Sequence, residues 1–166
     1  MPPRWGRPLP KTDPNACIIV ADGARARFLG LQRGEEPWRR SRLVPLASVG
    51  NPDFRGHGAE RATDCEPHAT HPTDDRRGEH RLEPGRRFAA EIAQRAAGLT
   101  ADWARGTVIL IAEPRMLGLL REEVRGALKP GLELKELAKD YTALTIPELE
   151  RHLIVSGVLP DGPAAG

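Results

Sequence analysis

The stretch VADGARARFLG, residues 20–30, decides how the first part of the chain folds. It continues the apolar run ACIIVA at residues 16–21, which is typical of a buried strand. Asp22-Gly23 then predicts a two-residue hairpin of type I′, a turn that requires positive φ at both central positions. Beyond the turn, apolar residues alternate with Arg25 and Arg27, as a half-buried return strand requires. The stretch therefore predicts a β-hairpin that carries two arginines on one face.

The rest of the chain predicts a third strand, a long loop, and then helices that alternate with strands. RSRLVPLASV, residues 40–49, is typical of a strand, and Pro45 favours an edge position or a bulge within it. Residues 50–85 have almost no apolar residues and no periodicity, which predicts a long loop. The spacing of apolar residues then predicts helices over 86–97, 114–128 and 146–156 and strands over 106–113 and 132–137.

The order β-β-β-loop-α-β-α-β-α predicts an α/β domain with one mixed sheet and helices on its faces. A chain of 166 residues with 39% hydrophobic and 29% charged residues suits one globular domain with its own core. Glycine and proline cluster near both ends of the chain, which predicts flexible tails over 1–14 and 158–166. The domain itself is expected to span 15–157.

The composition predicts a cytoplasmic protein that does not enter a membrane. No apolar run approaches the roughly 20 residues that a membrane span needs. The beginning of the chain lacks the apolar core of a signal peptide. Two cysteines, Cys17 and Cys65, are too few for a disulfide framework and fit a reducing compartment.

Basic residues concentrate in the first third of the chain. Residues 1–47 hold nine Lys and Arg against four Asp and Glu, whereas 48–85 is net acidic and 86–166 is balanced. This distribution is compatible with an anionic partner such as structured RNA. A solvated basic face is the alternative interpretation.

Five residues beside predicted strand ends are candidates for binding an anion. Arg25 and Arg27 present guanidinium groups that can grip phosphate with two hydrogen bonds, and Asp22 sets the turn before them. The apolar strand at 106–113 is expected at the centre of the sheet, buried on both faces. Arg115 follows this strand, and Lys139 follows the last strand, where open α/β sheets collect ligands. The alternative is a hairpin turn and a set of arginines and lysines that face only solvent.

The predicted loop contains a second group of candidates, Arg55, Gly56, His57 and Gly58. His57 is a weak candidate for a general base, because imidazole titrates near neutral pH. A flexible polar loop without chemistry is the alternative.

The loop segment DCEPHATH also contains side chains of the types that bind zinc, namely Cys65, His68 and His71. They are three possible ligands without a partner pair at a standard spacing. We therefore expect no metal and no cofactor.

Three segments of the chain resemble the bacterial host attachment proteins, which are described as required for attachment to host cells. The segments are IIVADGARARFL, VILIAEPRMLGLLREEV and ELAKDYTALTIPELERHL, and they occur in the order found in that family. The resemblance covers about residues 16–155. That family is grouped with bacterial relatives of the archaeal and eukaryotic class-I release factors.

The resemblance implies a ribonuclease-H-like mixed sheet, as in the middle domain of those release factors. There, a loop bearing Gly-Gly-Gln precedes a long helix and reaches the peptidyl-transferase centre. Residues 50–85 hold the same position here, but Gly-Gly-Gln occurs nowhere in the chain. The resemblance therefore implies the fold and a link to translation rather than the hydrolytic activity.

Together, these observations predict a release-factor-like, cytoplasmic binding module that is associated with the ribosome or with structured RNA and has no enzymatic activity. Two alternatives remain open. One is a degenerate peptidyl-tRNA hydrolase that rescues ribosomes through the loop, and the other is a protein that contributes to attachment to host cells.

Overall fold

The computed structural model describes residues 15–32, 42–54 and 75–159, with the backbone alone over 75–84. These residues form five strands and three helices. The strands are β1 (Ala16–Ala21), β2 (Arg25–Gln32), β3 (Arg42–Gly50), β4 (Gly106–Ala112) and β5 (Leu132–Ala138). The helices are α1 (Asp75–Leu99), α2 (Pro114–Ala127) and α3 (Ile146–Val155).

The five strands form one mixed sheet in the order β3-β2-β1-β4-β5. β2 runs antiparallel to both β1 and β3, whereas β4 runs parallel to both β1 and β5. The carboxyl ends of β1, β3, β4 and β5 therefore lie along the same edge of the sheet. The predicted α/β class, with a mixed sheet and the predicted order of elements, is confirmed.

Two hydrophobic cores lie on opposite faces of the sheet, and β1 contributes to both. Cys17 and Ile19 pack with side chains of α1 and α2, whereas Ile18 and Val20 pack with those of α3. All six residues of β1 are buried, which explains why ACIIVA contains no polar position. β1 is the middle strand of the five and is buried on both faces. The prediction that the strand at 106–113 is the centre of the sheet is therefore wrong by one strand, since β4 lies beside β1.

Pro45 has both of the properties predicted for it. β3 is an edge strand, so the missing N–H of Pro45 interrupts no central ladder. The register also shifts along β3, since Phe28 pairs with Ala47 and Leu29 pairs with Pro45. Leu46 is the extra residue of this bulge.

Two predicted boundaries need correction. α1 begins at Asp75, whereas apolar spacing predicts a start at Arg86, so the loop predicted over 50–85 overlaps a helix from residue 75 onward. The residues from 75 to 84 are mostly charged and include Pro84, which removes any apolar period. The predicted tail also begins too early, because Leu159 is buried against α3 and its N–H donates to the carbonyl O of Leu153.

Candidate functional site

The sheet topology brings four of the predicted binding residues to one edge of the sheet. Asp22 follows β1 directly, Lys139 follows β5, and Arg115 lies just beyond β4. Arg25 begins β2, whose antiparallel direction places its first residue at this same edge. We call this the carboxyl edge, because the parallel strands end there. Ligands of open α/β sheets bind at such an edge.

The turn at the carboxyl edge is held by the side chain of Asp22. Its Oδ1 accepts hydrogen bonds from the N–H of Ala24 at 2.7 Å and from the N–H of Arg25 at 2.8 Å. Beyond the last strand pair, Ala21 with Ala26, the N–H of Asp22 donates to the carbonyl O of Arg25 at 2.9 Å, so the turn is centred on Gly23 and Ala24 rather than on Asp22 and Gly23. The turn is an Asx-type turn, in which a side-chain carboxylate replaces a backbone acceptor.

The predicted type I′ turn is therefore wrong. Among the residues that the structure describes, positive φ occurs at Gly131 and Gly157, and Gly23 does not adopt it. Because the carboxylate of Asp22 binds two of the turn's amides, the backbone closes without the left-handed conformation that a type I′ turn demands.

Asn51 fastens the segment after β3 to this turn. Its side-chain Nδ2 donates to the carbonyl O of Gly23 at 2.9 Å, and its main-chain N–H donates to the carbonyl O of Ala24 at 2.8 Å. The ring of Phe54 packs on the same turn, where a Cβ at position 23 would lie 3.2 Å from its Cε2. The first residues of the predicted loop thus have a fixed position beside Asp22.

Arg25 and Arg27 bind the main chain of the segment that precedes α3. Nη2 of Arg27 donates to the carbonyl O of Tyr141 at 3.1 Å and to that of Leu144 at 2.9 Å. Nη2 of Arg25 donates to the carbonyl O of Thr142 at 3.3 Å. Both arginines lie on one face of β2, as predicted. These three bonds are a structural role that neither interpretation of the sequence included.

Arg27 is the more constrained of the two arginines. Its side chain is half-buried, and burial lowers the pKa of its guanidinium, with a further contribution from the charge of Arg25. Among the described residues, Nε of Arg27 is a buried donor without a hydrogen-bond partner. A guanidinium stays charged under these conditions, so Arg27 places a positive charge just beneath the carboxyl edge.

The two other candidates lie closer to solvent. Arg115 is exposed in the first turn of α2, and Glu113, which caps that helix, makes no side-chain capping bond. Lys139 is exposed at the end of β5. The next residue, Asp140, accepts a hydrogen bond from Oγ1 of Thr142 at 2.7 Å. The edge therefore presents the exposed basic side chains of Arg115 and Lys139 together with the exposed carboxylate of Glu113, whereas the carboxylate of Asp140 is bound within its own turn.

The remaining sequence candidates lie outside the described residues. They are Arg55, Gly56, His57, Gly58, Cys65, His68 and His71. Within residues 15–32, 42–54 and 75–159, no group of three or more His, Cys, Asp or Glu side chains has an arrangement that holds a metal ion. None of the helices in that part of the chain is both long enough and apolar enough to cross a bilayer.

The fold defines an α/β protein with a five-stranded mixed sheet, and the exposed side chains of Arg25, Arg115 and Lys139 lie at its carboxyl edge. Residues 17–153 match the family model described as protein required for attachment to host cells. The match runs from the second residue of β1 into α3, so it includes all of the sheet except Ala16 and every candidate residue named above. The chain belongs to this family. No curated protein matches the chain.

Proposed function

We propose that this protein is a binding protein, without enzymatic activity, that contributes to attachment to host cells. The observation that carries the proposal is the family match over residues 17–153. The carboxyl edge is the proposed binding surface, because Arg25, Arg115 and Lys139 are exposed there. The segment fixed by Asn51 leads from the same edge toward residue 55, where the described part of the chain is interrupted.

Attachment of the source organism to host cells tests this proposal. A gene deletion is complemented with the wild-type chain or with the double variant Arg115→Glu/Lys139→Glu. We expect the deletion to reduce attachment and the double variant to fail to restore it. The matched control is Arg95→Glu/Arg105→Glu, which makes the same charge change at exposed positions away from the carboxyl edge. Full attachment without the gene contradicts the function, and full complementation by the double variant contradicts the surface.

A second candidate function is association with the ribosome or with structured RNA in the cytoplasm. The basic side chains of the carboxyl edge favour it, because phosphate is recognised by arginine and lysine. The strand order, with β2 as the antiparallel member next to β1, supports the ribonuclease-H-like topology that the release-factor resemblance implies. A role in translation is part of this second proposal.

Co-sedimentation with ribosomes at low and high salt tests the second candidate. Besides the wild-type chain, the experiment uses a variant in which residues 55–74 are replaced by a Gly-Ser linker. This replacement keeps the Asn51 turn and the start of α1 at Asp75. Loop-dependent binding that weakens with salt supports the proposal, since phosphate contacts release counterions. Absence of binding at low salt, or a location outside the cytoplasm on fractionation, contradicts it. Release of peptide from peptidyl-tRNA in a single turnover favours the hydrolase alternative instead.

A further inference from the structure

β5 is an open edge of the sheet. It lies last in the strand order, and all seven of its residues pair with β4 on one side. In the part of the chain that the structure describes, no strand pairs with its other side. Such an edge exposes main-chain N–H and C=O groups that pair readily with another strand. The main-chain groups of β5 can therefore pair with a further strand, and the side chains of β5 indicate the identity of that strand.

The register of β5 against β4 runs without a bulge, so its side chains alternate strictly between the two faces. Leu132 and Leu134 are half-buried and pack on the core beneath α1 and α2. Glu133 and Lys135 lie on the opposite face and are exposed. The strand thus carries one negative and one positive charge on the same face, two residues apart.

Glu136 is already neutralised within the chain. Its two carboxylate oxygens accept hydrogen bonds from Nε and Nη2 of Arg121 in α2, each at 2.7 Å. Glu136 lies on the face of Leu132 and Leu134, away from Glu133 and Lys135. The unpaired charges on the other face of β5, the face of the sheet that α3 covers, are therefore those of Glu133 and Lys135.

This pattern is complementary to a second copy of itself. In an antiparallel pair of β5 strands related by a two-fold axis at Leu134, Glu133 lies opposite Lys135 of the second copy, and the symmetry makes this contact twice. An axis at Lys135 sets two lysines opposite each other, and an axis at Glu133 sets two glutamates opposite each other. Of these three registers, the one with its axis at Leu134 sets opposite charges against each other. It also places the half-buried Leu134 side chains of the two copies side by side.

We infer that β5 is the interface of a homodimer in which two copies of this chain pair their β5 strands antiparallel around Leu134. The two sheets then form one continuous sheet, and the carboxyl edges of the two copies point in opposite directions. This inference is independent of the proposed function, because it uses neither the carboxyl edge nor the family match.

Sedimentation velocity of the full chain across a wide concentration range tests the dimer. We expect a concentration-dependent monomer–dimer equilibrium. Glu133→Lys and Lys135→Glu each replace two attractive pairs by two repulsive ones and are expected to weaken the dimer about tenfold. The double variant Glu133→Lys/Lys135→Glu restores opposite charges across the axis and is expected to recover the wild-type dissociation constant.

The control is Glu91→Lys, which makes the same charge reversal at an exposed position of α1 and is expected to leave the equilibrium unchanged. Far-UV circular dichroism verifies that each variant is folded. A wild-type chain that stays monomeric at its highest soluble concentration overturns the inference. So does a double variant that dimerises no better than the single ones, because self-association then uses another surface.

Discussion

Nη2 of Arg27 in β2 lies 2.9 Å from the carbonyl O of Leu144, a residue 117 positions later in the chain. The next residue, Thr145, begins α3 with a capping box, in which its hydroxyl accepts from the N–H of Glu148 and the Glu148 carboxylate accepts from the N–H of Thr145. A side chain of the first hairpin therefore fixes the point at which the last helix starts. This relationship joins the two ends of the domain.

Replacing Arg27 by methionine should destabilise the protein by about 1–2 kcal/mol, because two carbonyl groups lose a charged donor. Amides of residues 141–145 should also exchange faster with solvent. Urea unfolding and hydrogen exchange with mass spectrometry measure both effects. Arg25→Met is the matched control, since Arg25 is exposed and makes one longer bond to Thr142. Equal losses in the two variants contradict the role given to Arg27.

Replacing Asp22 by alanine should cost about 1–2 kcal/mol, because the N–H groups of Ala24 and Arg25 lose their shared acceptor. Asp22→Asn keeps a side-chain oxygen at the same position and should lose less than half as much. Urea unfolding of the three proteins measures the difference. An asparagine variant as unstable as the alanine variant shows that charge, rather than the hydrogen bonds, holds the turn.

The stability of α3 should depend on acid pH through Glu148. Hydrogen bonds from the main chain and hydroxyl of Thr145 hold the pKa of this carboxyl below its ordinary value of 4.5. A carboxyl with a lowered folded pKa stabilises the fold above the unfolded pKa, and that contribution disappears as pH falls through the folded pKa. The stability advantage of wild type over Glu148→Gln should therefore be constant near neutral pH and shrink below 4.5. Urea midpoints as a function of pH measure it, and a difference that persists in acid contradicts the capping role.

Cys17 should be chemically inert in the folded protein. Its thiol is fully buried in β1, and burial raises its pKa to about 12, so the reactive thiolate is almost absent near neutral pH. In a Cys65→Ser variant, reaction with a thiol reagent at about pH 8 should proceed at the rate of unfolding and become immediate in urea. Rapid labelling without denaturant shows that β1 is more accessible than its burial indicates.

Two glycine substitutions should change stability in opposite directions. Gly131 has a φ of 99°, and a Cβ there would lie 2.8 Å from the carbonyl O of Ala104, so Gly131→Ala should destabilise by about 1–3 kcal/mol. Gly118 lies in α2 with nothing within 4 Å of an added Cβ, so Gly118→Ala should stabilise by about 0.5–1 kcal/mol. Thermal unfolding of both variants tests this pair, and shifts of the same sign contradict it.

The order of strands and helices was predictable because each element satisfies a local rule. Residues 108–112, VILIA, are apolar at five successive positions, and β4 is buried between two strands with cores on both faces. The sequence Thr145-Ile146-Pro147-Glu148 also follows the local rule for a capping box, and the structure has this capping box at the start of α3. Pro45 likewise predicted an edge position or a bulge from the loss of one N–H, and β3 has both. These features depend on residues that are neighbours in the chain.

Other features depend on contacts that no local pattern contains. The bonds of Arg27 to Tyr141 and Leu144 bridge more than a hundred residues, so alternation along β2 predicts only the face of the arginine and not its partner. Asp22-Gly23 predicted a turn, but the carboxylate selected a different type. The first part of α1 is polar, and a helix without an apolar face has no periodic signal.

The central position of β1 has a consequence for how the chain folds during synthesis. β1 pairs with β2 across a turn of a few residues, but its other neighbour, β4, follows about 90 residues later, as the pairing of Ala16 with Thr107 shows. At about 5–20 residues per second, on the order of 5–20 s pass before that strand is translated. During this interval the strand ACIIVA has one edge that can pair with β2 and one edge whose partner, β4, has not been made. The edge of β1 that later pairs with β4 therefore lacks its partner strand until the second half of the chain has been made.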